Sequence, residues 1–251
     1  MTAPWPMPFW IAHRGAGKLA PENTLAAFRL GASHGFRAFE CDVKLSADGV
    51  PFLLHDATLE RTTHGQGVAG AQTWEALSRL DAGGWHSRAY AGEPLPSLDA
   101  IARFVQRNGH ALNIEIKPTP DTETLTGEAV GAACTTLWKG TSSPLLFSSF
   151  RAEALRGALR AAPGIPRALL LDELSPDWLE TALSLGCEAI VTNHRRMDAV
   201  LVARLHGAGL RTLCYTVNET DEARRLIELG VDGLITDAVD RFAPQGPQRL
   251  V

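Results

Sequence analysis

The sequence is poor in cysteine and has no long apolar segment. It contains 4 cysteines among 251 residues, and no two of them have the Cys-x-x-Cys spacing of a redox or zinc motif. This pattern excludes a small scaffold held by disulfides and is typical of a reduced, cytoplasmic protein. No run of about 18 apolar residues occurs, which excludes a transmembrane helix.

The chain also lacks an excess of positive charge. It has 24 Lys and Arg against 28 Asp and Glu, for a formal net charge of −4. Without a strongly basic face, nucleic acid is not an expected partner. The N-terminal segment has neither the basic start nor the long apolar stretch of a signal peptide. We therefore expect a cytoplasmic location and no stable membrane association, and no motif in the sequence defines an oligomeric state.

Short apolar segments recur at regular intervals in the second half of the chain. Five strand candidates begin at residues 145, 167, 189, 212 and 233. Amphipathic segments of helical periodicity lie between them, and one of these ends at Gly230, a typical helix stop. Apolar strands that alternate with helices predict a parallel sheet covered by helices.

The first half contains three further strand candidates, at residues 9–12, 38–43 and 112–116. Eight strand–helix units in one chain of this length predict a single α/β domain over residues 1–251, a (β/α)8 TIM barrel. The interval between the second and third strands is too long for one unit. We interpret residues 49–97 as a small, loop-rich insertion after the second strand, on the face where barrel enzymes place their active sites.

The start of the insertion carries a turn signal. Asp48-Gly49 lies between two apolar segments, which predicts a β-hairpin. A two-residue turn at this point would place His55 beside Asp42 on the returning strand.

Polar side chains follow the first three barrel strands where each strand ends. Because side chains alternate along a strand, Glu40 and Asp42 share one face, and so do Glu115 and Lys117. The carboxyl ends of barrel strands meet at one face, so we expect these groups to converge. The predicted cluster consists of His13, Arg14, Glu40, Asp42, His55, Glu115 and Lys117.

The charges of this cluster indicate its chemistry. Three ionised carboxylates in a small site require compensation, and a hard divalent cation that prefers oxygen ligands supplies it. We expect one such cation, Mg²⁺ or Ca²⁺, with Mn²⁺ as a further option. Arg14 and Lys117 would then hold a phosphate anion, and His13 and His55 would act as general acid and base. The set therefore predicts phosphoryl chemistry on a small-molecule substrate.

Each of these residues also has a structural interpretation when taken alone. A histidine at a strand end is usually structural, and Glu115 and Lys117 form a simple salt bridge at a sheet edge equally well. Trp85 in the insertion and Tyr215 after the seventh strand are weaker candidates for the substrate pocket. Asp237 reads as a turn or cap residue, and Asn218 as a helix cap or a pocket residue.

The ordered set of motifs resembles the glycerophosphodiester phosphodiesterase family, in the form of its compact bacterial cytosolic members. The matching segments run in family order across nearly the whole chain. They include residues 13–15 (HRG), 21–24 (PENT), 40–42 (ECD), 48–49 (DG), 55–56 (HD), 115–117 (EIK), 215–218 (YTVN) and 235–237 (ITD).

The resemblance implies a TIM barrel with a small inserted subdomain. It implies hydrolysis of glycerophosphodiesters, such as glycerophosphocholine and glycerophosphoethanolamine, to sn-glycerol 3-phosphate and an alcohol. It also implies a divalent metal on Glu40, Asp42 and Glu115, an acid–base pair of histidines at 13 and 55, and phosphate contacts from the cations at 14 and 117. Many members carry Trp where this chain has Tyr215, which puts the contacts of that wall with the polyol in doubt.

Three other functions remain open from the sequence. A phospholipase D-like or cyclising lipid phosphodiesterase uses a similar barrel, but it would need an apolar rim that docks on a membrane. A Schiff-base aldolase would use Lys117 as its nucleophile, and the neighbouring carboxylates count against it because they raise its pKa. A binding protein that holds phosphodiesters without turnover would not need the two histidines.

Overall fold

The computed structural model describes residues 5, 7–242 and 244, so part of the N-terminal segment considered above lies outside the described residues. The strands are β1 (Trp10–Ala12), β2 (Ala38–Leu45), β3 (Pro51–Leu53), β4 (Ala111–Ile116), β5 (Leu145–Ser149), β6 (Arg167–Leu171), β7 (Ala189–Asn193), β8 (Arg211–Tyr215) and β9 (Gly233–Thr236). The α-helices are α1 (Leu25–Ser33), α2 (Trp74–Leu77), α3 (Leu98–Arg107), α4 (Glu123–Leu137), α5 (Ala152–Ala161), α6 (Trp178–Ser184), α7 (Ala199–Gly207) and α8 (Thr220–Glu228). Short 3-10 helices cover Ala69–Ala71, Arg88–Tyr90 and His194–Arg196.

Eight of the strands are parallel and close into a barrel. They pair in the order β1, β9, β8, β7, β6, β5, β4, β2, and β2 pairs in turn with β1. The short strand β3 pairs antiparallel with β2. The prediction of a (β/α)8 TIM barrel is confirmed.

Alternation along the strands separates an inner core from an outer one. Small and branched side chains, among them Ala38, Leu146, Ala168 and Val191, form the inner cluster. Neighbouring residues of opposite parity, such as Phe39, pack with the helices in the larger outer cluster. Because side chains alternate between the two faces of a strand, those of residues 40, 42 and 44 lie on the same inner face as that of Ala38.

The strand β2 and its partner β3 form the predicted hairpin, but the pairing differs by one residue from the prediction. Val43 pairs with Leu53, and the Leu54 N–H donates to the Asp42 carbonyl, so Leu54 and not His55 lies opposite Asp42. The loop has three residues, 47–49, and not two. Gly49 closes it at φ 80°, a left-handed conformation that favours glycine.

Residues 54–97 connect β3 to α3. Besides loops they contain the four-residue helix α2 and two 3-10 helices, and they have an apolar cluster of their own. The members of that cluster are Phe52, Leu54, Leu59, Ala69, Leu77, Ala82 and Leu95. The segment is loop-rich as expected, but it also packs around a small core, and the boundaries of 49–97 stay a prediction.

No helix among residues 7–242 is both long enough and apolar enough to cross a membrane. The longest, α4, has 15 residues, whereas a spanning helix needs about 20.

Candidate active site

Three carboxylates meet at the carboxyl ends of β2 and β4. In the strand register Asp42 pairs with Glu115. Two residues earlier on each strand, Glu40 pairs with Asn113. One carboxylate oxygen from each of Glu40, Asp42 and Glu115 lies within 4.8 Å of the others. Glu40 and Asp42 are buried, and only 9% of Glu115 is exposed. The predicted metal ligands are therefore brought together.

Two cations contact this cluster. The Lys117 Nζ atom lies 3.2 Å from Asp42 Oδ1 and 3.3 Å from Glu115 Oε1. The Arg14 Nε atom lies 3.3 Å from Asp42 Oδ2, and its backbone N–H donates to Glu40 Oε2 at 3.1 Å. Arg14 has φ 51°, so the chain after β1 turns sharply to bring this N–H onto the carboxylate.

The three carboxyl groups titrate differently. Burial and the neighbouring Asp42 raise the pKa of Glu40 well above its ordinary value and that of Glu115 to about 7. Burial also acts to raise the pKa of Asp42, but Lys117 and Arg14 outweigh it and lower that pKa below its ordinary range. The two cations thus compensate only part of the acidic charge. A donor set of three carboxylates in this state fits a hard divalent cation.

Asn23 holds one of the carboxylates. Its Nδ2 donates to Asp42 Oδ2 at 2.8 Å, while the Asp42 backbone N–H donates to Asn23 Oδ1 at 3.1 Å. Asn23 has φ 60°, a conformation that asparagine tolerates better than most residues. Thr24 is the N-cap of α1, and its side chain accepts from the Ala27 N–H. Asn23 therefore supports the carboxylate cluster, and the residue after it caps the helix.

His13 is oriented by Asp237, which the sequence analysis wrongly treated as a turn or cap residue. His13 Nδ1 lies 2.6 Å from Asp237 Oδ1. Asn218 fixes this carboxylate, because its Nδ2 donates to Asp237 Oδ2 at 3.2 Å and its Oδ1 accepts the Asp237 N–H at 2.9 Å. Asn218 is not the cap of α8, whose N-cap is Glu219. With Nδ1 held by a carboxylate, His13 Nε2 lies 3.8 Å from Glu40 Oε2.

His55 has a carboxylate partner of its own. Its Nδ1 lies 2.7 Å from Asp56 Oδ1. Arg61, from the insertion, donates to both Asp56 oxygens, at 2.5 Å and 3.1 Å, and to both Glu22 oxygens, at 2.9 Å and 2.7 Å. Glu22 in turn accepts from Arg14 at 2.9 Å. A chain of ion pairs therefore connects the two sides of the site through the insertion.

This network acts on the pKa values of its members. The hydrogen bonds from Arg61 lower the pKa of Asp56 to about 2, so this carboxylate stays ionised beside His55. Burial lowers the pKa of His55, although Asp42 opposes the shift.

The cluster opens into a cavity of about 200 Å³. Residues His13, Arg14, Glu40, His55, Asn113, Glu115, Lys117, Ser148, Phe150, Leu170, Tyr215, Thr216 and Ile235 line it. The rings of Phe150 and Tyr215 meet edge to face, with centroids 5.9 Å apart. Acidic and basic side chains thus line the cavity on the side of β1, β2 and β4. On the side of β5 and β8 the lining is partly aromatic.

Trp85 does not line this cavity. Its indole N–H donates to the Ala82 carbonyl at 2.8 Å, its ring meets that of His86, and 41% of the residue is exposed. Trp85 therefore packs within the insertion, and of the two weaker pocket candidates the structure brings only Tyr215 to the cavity.

Comparison with known proteins gives a consistent match over nearly the whole chain. The family model described as "Glycerophosphoryl diester phosphodiesterase family" matches residues 13–241. A glycerophosphodiester phosphodiesterase of Caldanaerobacter subterraneus subsp. tengcongensis is 32% identical over 90% of this chain and 93% of its own length.

Two solved structures resemble this barrel closely. The first is a phosphodiesterase of Oleispira antarctica in complex with the product sn-glycerol-3-phosphate, with a TM-score of 0.86 and 34% identity over 92% of this chain and 94% of that one. The second is a glycerophosphodiester phosphodiesterase of Agrobacterium tumefaciens str. C58, with a TM-score of 0.78 and 30% identity over 94% of this chain and 99% of that one.

Proposed function

The chain belongs to the glycerophosphoryl diester phosphodiesterase family, and from this premise we propose its reaction. The enzyme hydrolyses small glycerophosphodiesters, such as glycerophosphocholine and glycerophosphoethanolamine, to sn-glycerol 3-phosphate and an alcohol. One observation carries the proposal: two histidines, each held at Nδ1 by a carboxylate, line the same cavity as a cluster of three carboxylates and two cations.

The phosphate group binds between the cations. Arg14 and Lys117 both line the cavity and both contact Asp42, so their positions are fixed before a substrate arrives. Glu40, Asp42 and Glu115 would hold one divalent cation, Mg²⁺ or Ca²⁺ with Mn²⁺ as a third option. When bound, that cation supplies positive charge to the phosphate and lowers the pKa of a neighbouring hydroxyl group or water.

The two histidines carry the proton transfers. Because Nδ1 of each ring donates to a carboxylate, Nε2 is the atom of each ring that exchanges a proton with the substrate. One of His13 and His55 removes the proton from the attacking oxygen, and the other protonates the leaving alcohol. The attacking oxygen belongs either to water or to a hydroxyl group of the substrate itself.

The dimensions of the cavity support a small, polar substrate. About 200 Å³ accommodates a glycerophosphate group and a short alcohol but not an acyl chain. Phe150 and Tyr215 form an apolar wall against which the carbon skeleton packs. The partner of this site is thus a small molecule, and a cytoplasmic location stays a prediction.

The alternatives raised by the sequence are not favoured. An aldolase would need a neutral amine at Lys117. Burial acts to lower the pKa of this lysine, but Asp42 and Glu115 outweigh it and raise that pKa, so the amine stays protonated. A lipid phosphodiesterase is not favoured because the family model and the relatives match glycerophosphodiester phosphodiesterases.

The test is the release of glycerol 3-phosphate from glycerophosphocholine. We would remove metal with EDTA, then add Mg²⁺, Ca²⁺ or Mn²⁺ in turn, and assay the wild type beside H13A, H55A and E115Q. We expect no turnover without metal, recovery with at least one cation, and losses of at least about a hundredfold in kcat for each histidine variant. Full turnover in EDTA would contradict the metal, and near-normal turnover of both histidine variants would contradict the acid–base pair.

A further inference from the structure

Two uncharged polar side chains at the floor of the cavity have no hydrogen-bond partner within the part of the chain that the structure describes. They are Asn113, through Oδ1, and Ser148, through Oγ. Asn113 is 1% exposed and Ser148 is fully buried, yet both line the cavity. Buried polar atoms are nearly always paired, so two unpaired oxygens in one place indicate a partner that binds there.

The strand register places both oxygens beside the carboxylates. Asn113 pairs with Glu40 and Ser148 pairs with Glu115. Asn113 and Glu115 are two residues apart on β4, so Asn113, Glu115 and Ser148 share one face of neighbouring strands. Asn113 thus lies beside Glu40 and Ser148 beside Glu115, on the inner face that carries the carboxylate cluster.

The next residue on β5, Ser149, has the hydrogen bonds that Ser148 lacks. Ser149 is also buried, but its hydroxyl donates to the Ile116 carbonyl at 2.6 Å and accepts from the Arg151 N–H at 3.1 Å. Burial of a serine in this strand therefore does not by itself leave the hydroxyl unpaired. The lack of a partner is confined to the side of the strand that faces the cavity.

We propose that Asn113 and Ser148 form a support for an O–H group on the divalent cation held by the carboxylates. An oxygen that gives its lone pair to a metal keeps only its hydrogens for hydrogen bonding, so it donates. The amide oxygen of Asn113 can only accept, and the Ser148 hydroxyl oxygen accepts as well. The O–H group is either a water molecule or a hydroxyl group of the substrate's glycerol. This inference rests on the proposed metal site and adds two residues that orient what the metal binds.

The test uses variants that remove each oxygen: N113L, which keeps the branched shape of the side chain, and S148A. In metal-free protein we expect both to unfold at the same temperature as the wild type or higher, because an unpaired buried oxygen is removed. If the O–H group is a water molecule, we expect the dissociation constant of the cation, measured by calorimetry, to rise about 10–100-fold. If it is a glycerol hydroxyl group, we expect the loss in the affinity for sn-glycerol 3-phosphate instead. A residue with a merely structural role would instead lower the metal-free stability and leave the affinity unchanged.

Two further variants, S149A and E115Q, help to distinguish a failure of this inference from a failure of the proposed function. S149A, which loses existing hydrogen bonds, should be less stable and should bind the cation within about twofold of the wild type. E115Q should lose most of the affinity for the cation. A wild type that binds no cation would overturn the proposed function and this inference together. A wild type that binds normally, with N113L and S148A unchanged toward both metal and product, would overturn the inference alone.

The source of the O–H group follows from a second titration, with sn-glycerol 3-phosphate added to the metal-loaded protein. Weaker metal binding in N113L and S148A before any product is added identifies a metal-bound water. Unchanged metal binding with product binding weakened about tenfold or more identifies a glycerol hydroxyl group. Both results support the inference. An equal loss of metal affinity in S149A would overturn it, because the effect would then come from the packing of the barrel.

Discussion

His13 Nδ1 and Asp237 Oδ1 lie 2.6 Å apart, across the seam at which the first and last barrel strands pair. Ala12 and Thr236 are register partners, so the residues that follow them leave the barrel side by side. Asn218 holds the second oxygen of Asp237, and the carboxylate cannot turn away from the ring. Closure of the barrel therefore holds Nδ1 of His13 against Asp237 and leaves Nε2 on the side of Glu40.

The variant D237N should remove this control while it keeps the shape of the side chain. An amide at this position supports either ring tautomer, so part of the population presents the wrong nitrogen to the substrate. We expect kcat for glycerophosphocholine to fall about 10²–10⁴-fold with little change in KM. Steady-state kinetics measures both, and unfolding in urea checks that the variant is folded. A folded D237N with kcat within threefold of the wild type would show that the contact does not orient the ring.

After His55 itself, Arg61 should be the most important residue of the insertion for turnover. It binds Asp56, the partner of His55, and Glu22, the partner of Arg14. In R61M these carboxylates lose their shared cation, and His55 loses part of its support. We expect kcat/KM to fall about 10–100-fold. R61K should recover only part of this loss, since lysine lacks the planar fork that spans two carboxylates.

The matched control for Arg61 is Arg79, in the same insertion. It pairs with Glu75 in an exposed contact at the i, i+4 spacing, and neither residue lines the cavity. Exposed pairs of this kind contribute little to stability. R79M should therefore keep kcat/KM within twofold of the wild type. If R61M and R79M behave alike, the network does not act on His55.

The acidic residues of the site could be predicted from the alternation of side chains at the ends of the strands. The residues that hold and orient them could not. Glu40, Asp42 and Glu115 could be predicted because two neighbouring barrel strands carry them on the inner face near their carboxyl ends. Asp237 supports a residue 224 positions away, and such a pair has no local pattern. The position of His55 was wrong by one residue because a turn sequence does not specify whether two or three residues form the loop.

Tyr215 and Trp85 should differ in their effect on substrate binding. Tyr215 lines the cavity against Phe150, whereas Trp85 packs on His86 within the insertion. We expect Y215A to raise KM about tenfold, because an apolar wall for the substrate is lost, and Y215W to remain active. W85F should leave KM within twofold. A larger rise in KM for W85F than for Y215A, measured with the same substrate, would place the head group against the insertion.

Asp232 lies at the other end of β9 and should affect stability but not catalysis. Its carboxylate accepts from the Thr212 N–H at 2.8 Å and the Thr212 hydroxyl at 2.9 Å, and contacts Arg211 and His206. Burial acts to raise its pKa, but these hydrogen bonds outweigh burial and lower it below the ordinary value of 3.8. This is the amino-terminal end of the barrel strands, where a barrel places residues that stabilise it.

The lowered pKa of Asp232 determines how the free energy of unfolding changes with pH. The unfolded chain binds a proton at Asp232 more readily than the folded protein does, so the stability from this group is complete above about pH 5. It is lost as the pH falls through 3.8 toward the lower folded value. At pH 7 we expect D232N to reduce the free energy of unfolding by about 2 kcal/mol, and the difference from the wild type to shrink steadily between pH 5 and pH 3. Urea unfolding across this range measures it. A difference that stays constant down to pH 3 would mean that the negative charge of Asp232 contributes nothing, and that the cost of the substitution comes from hydrogen-bond geometry alone.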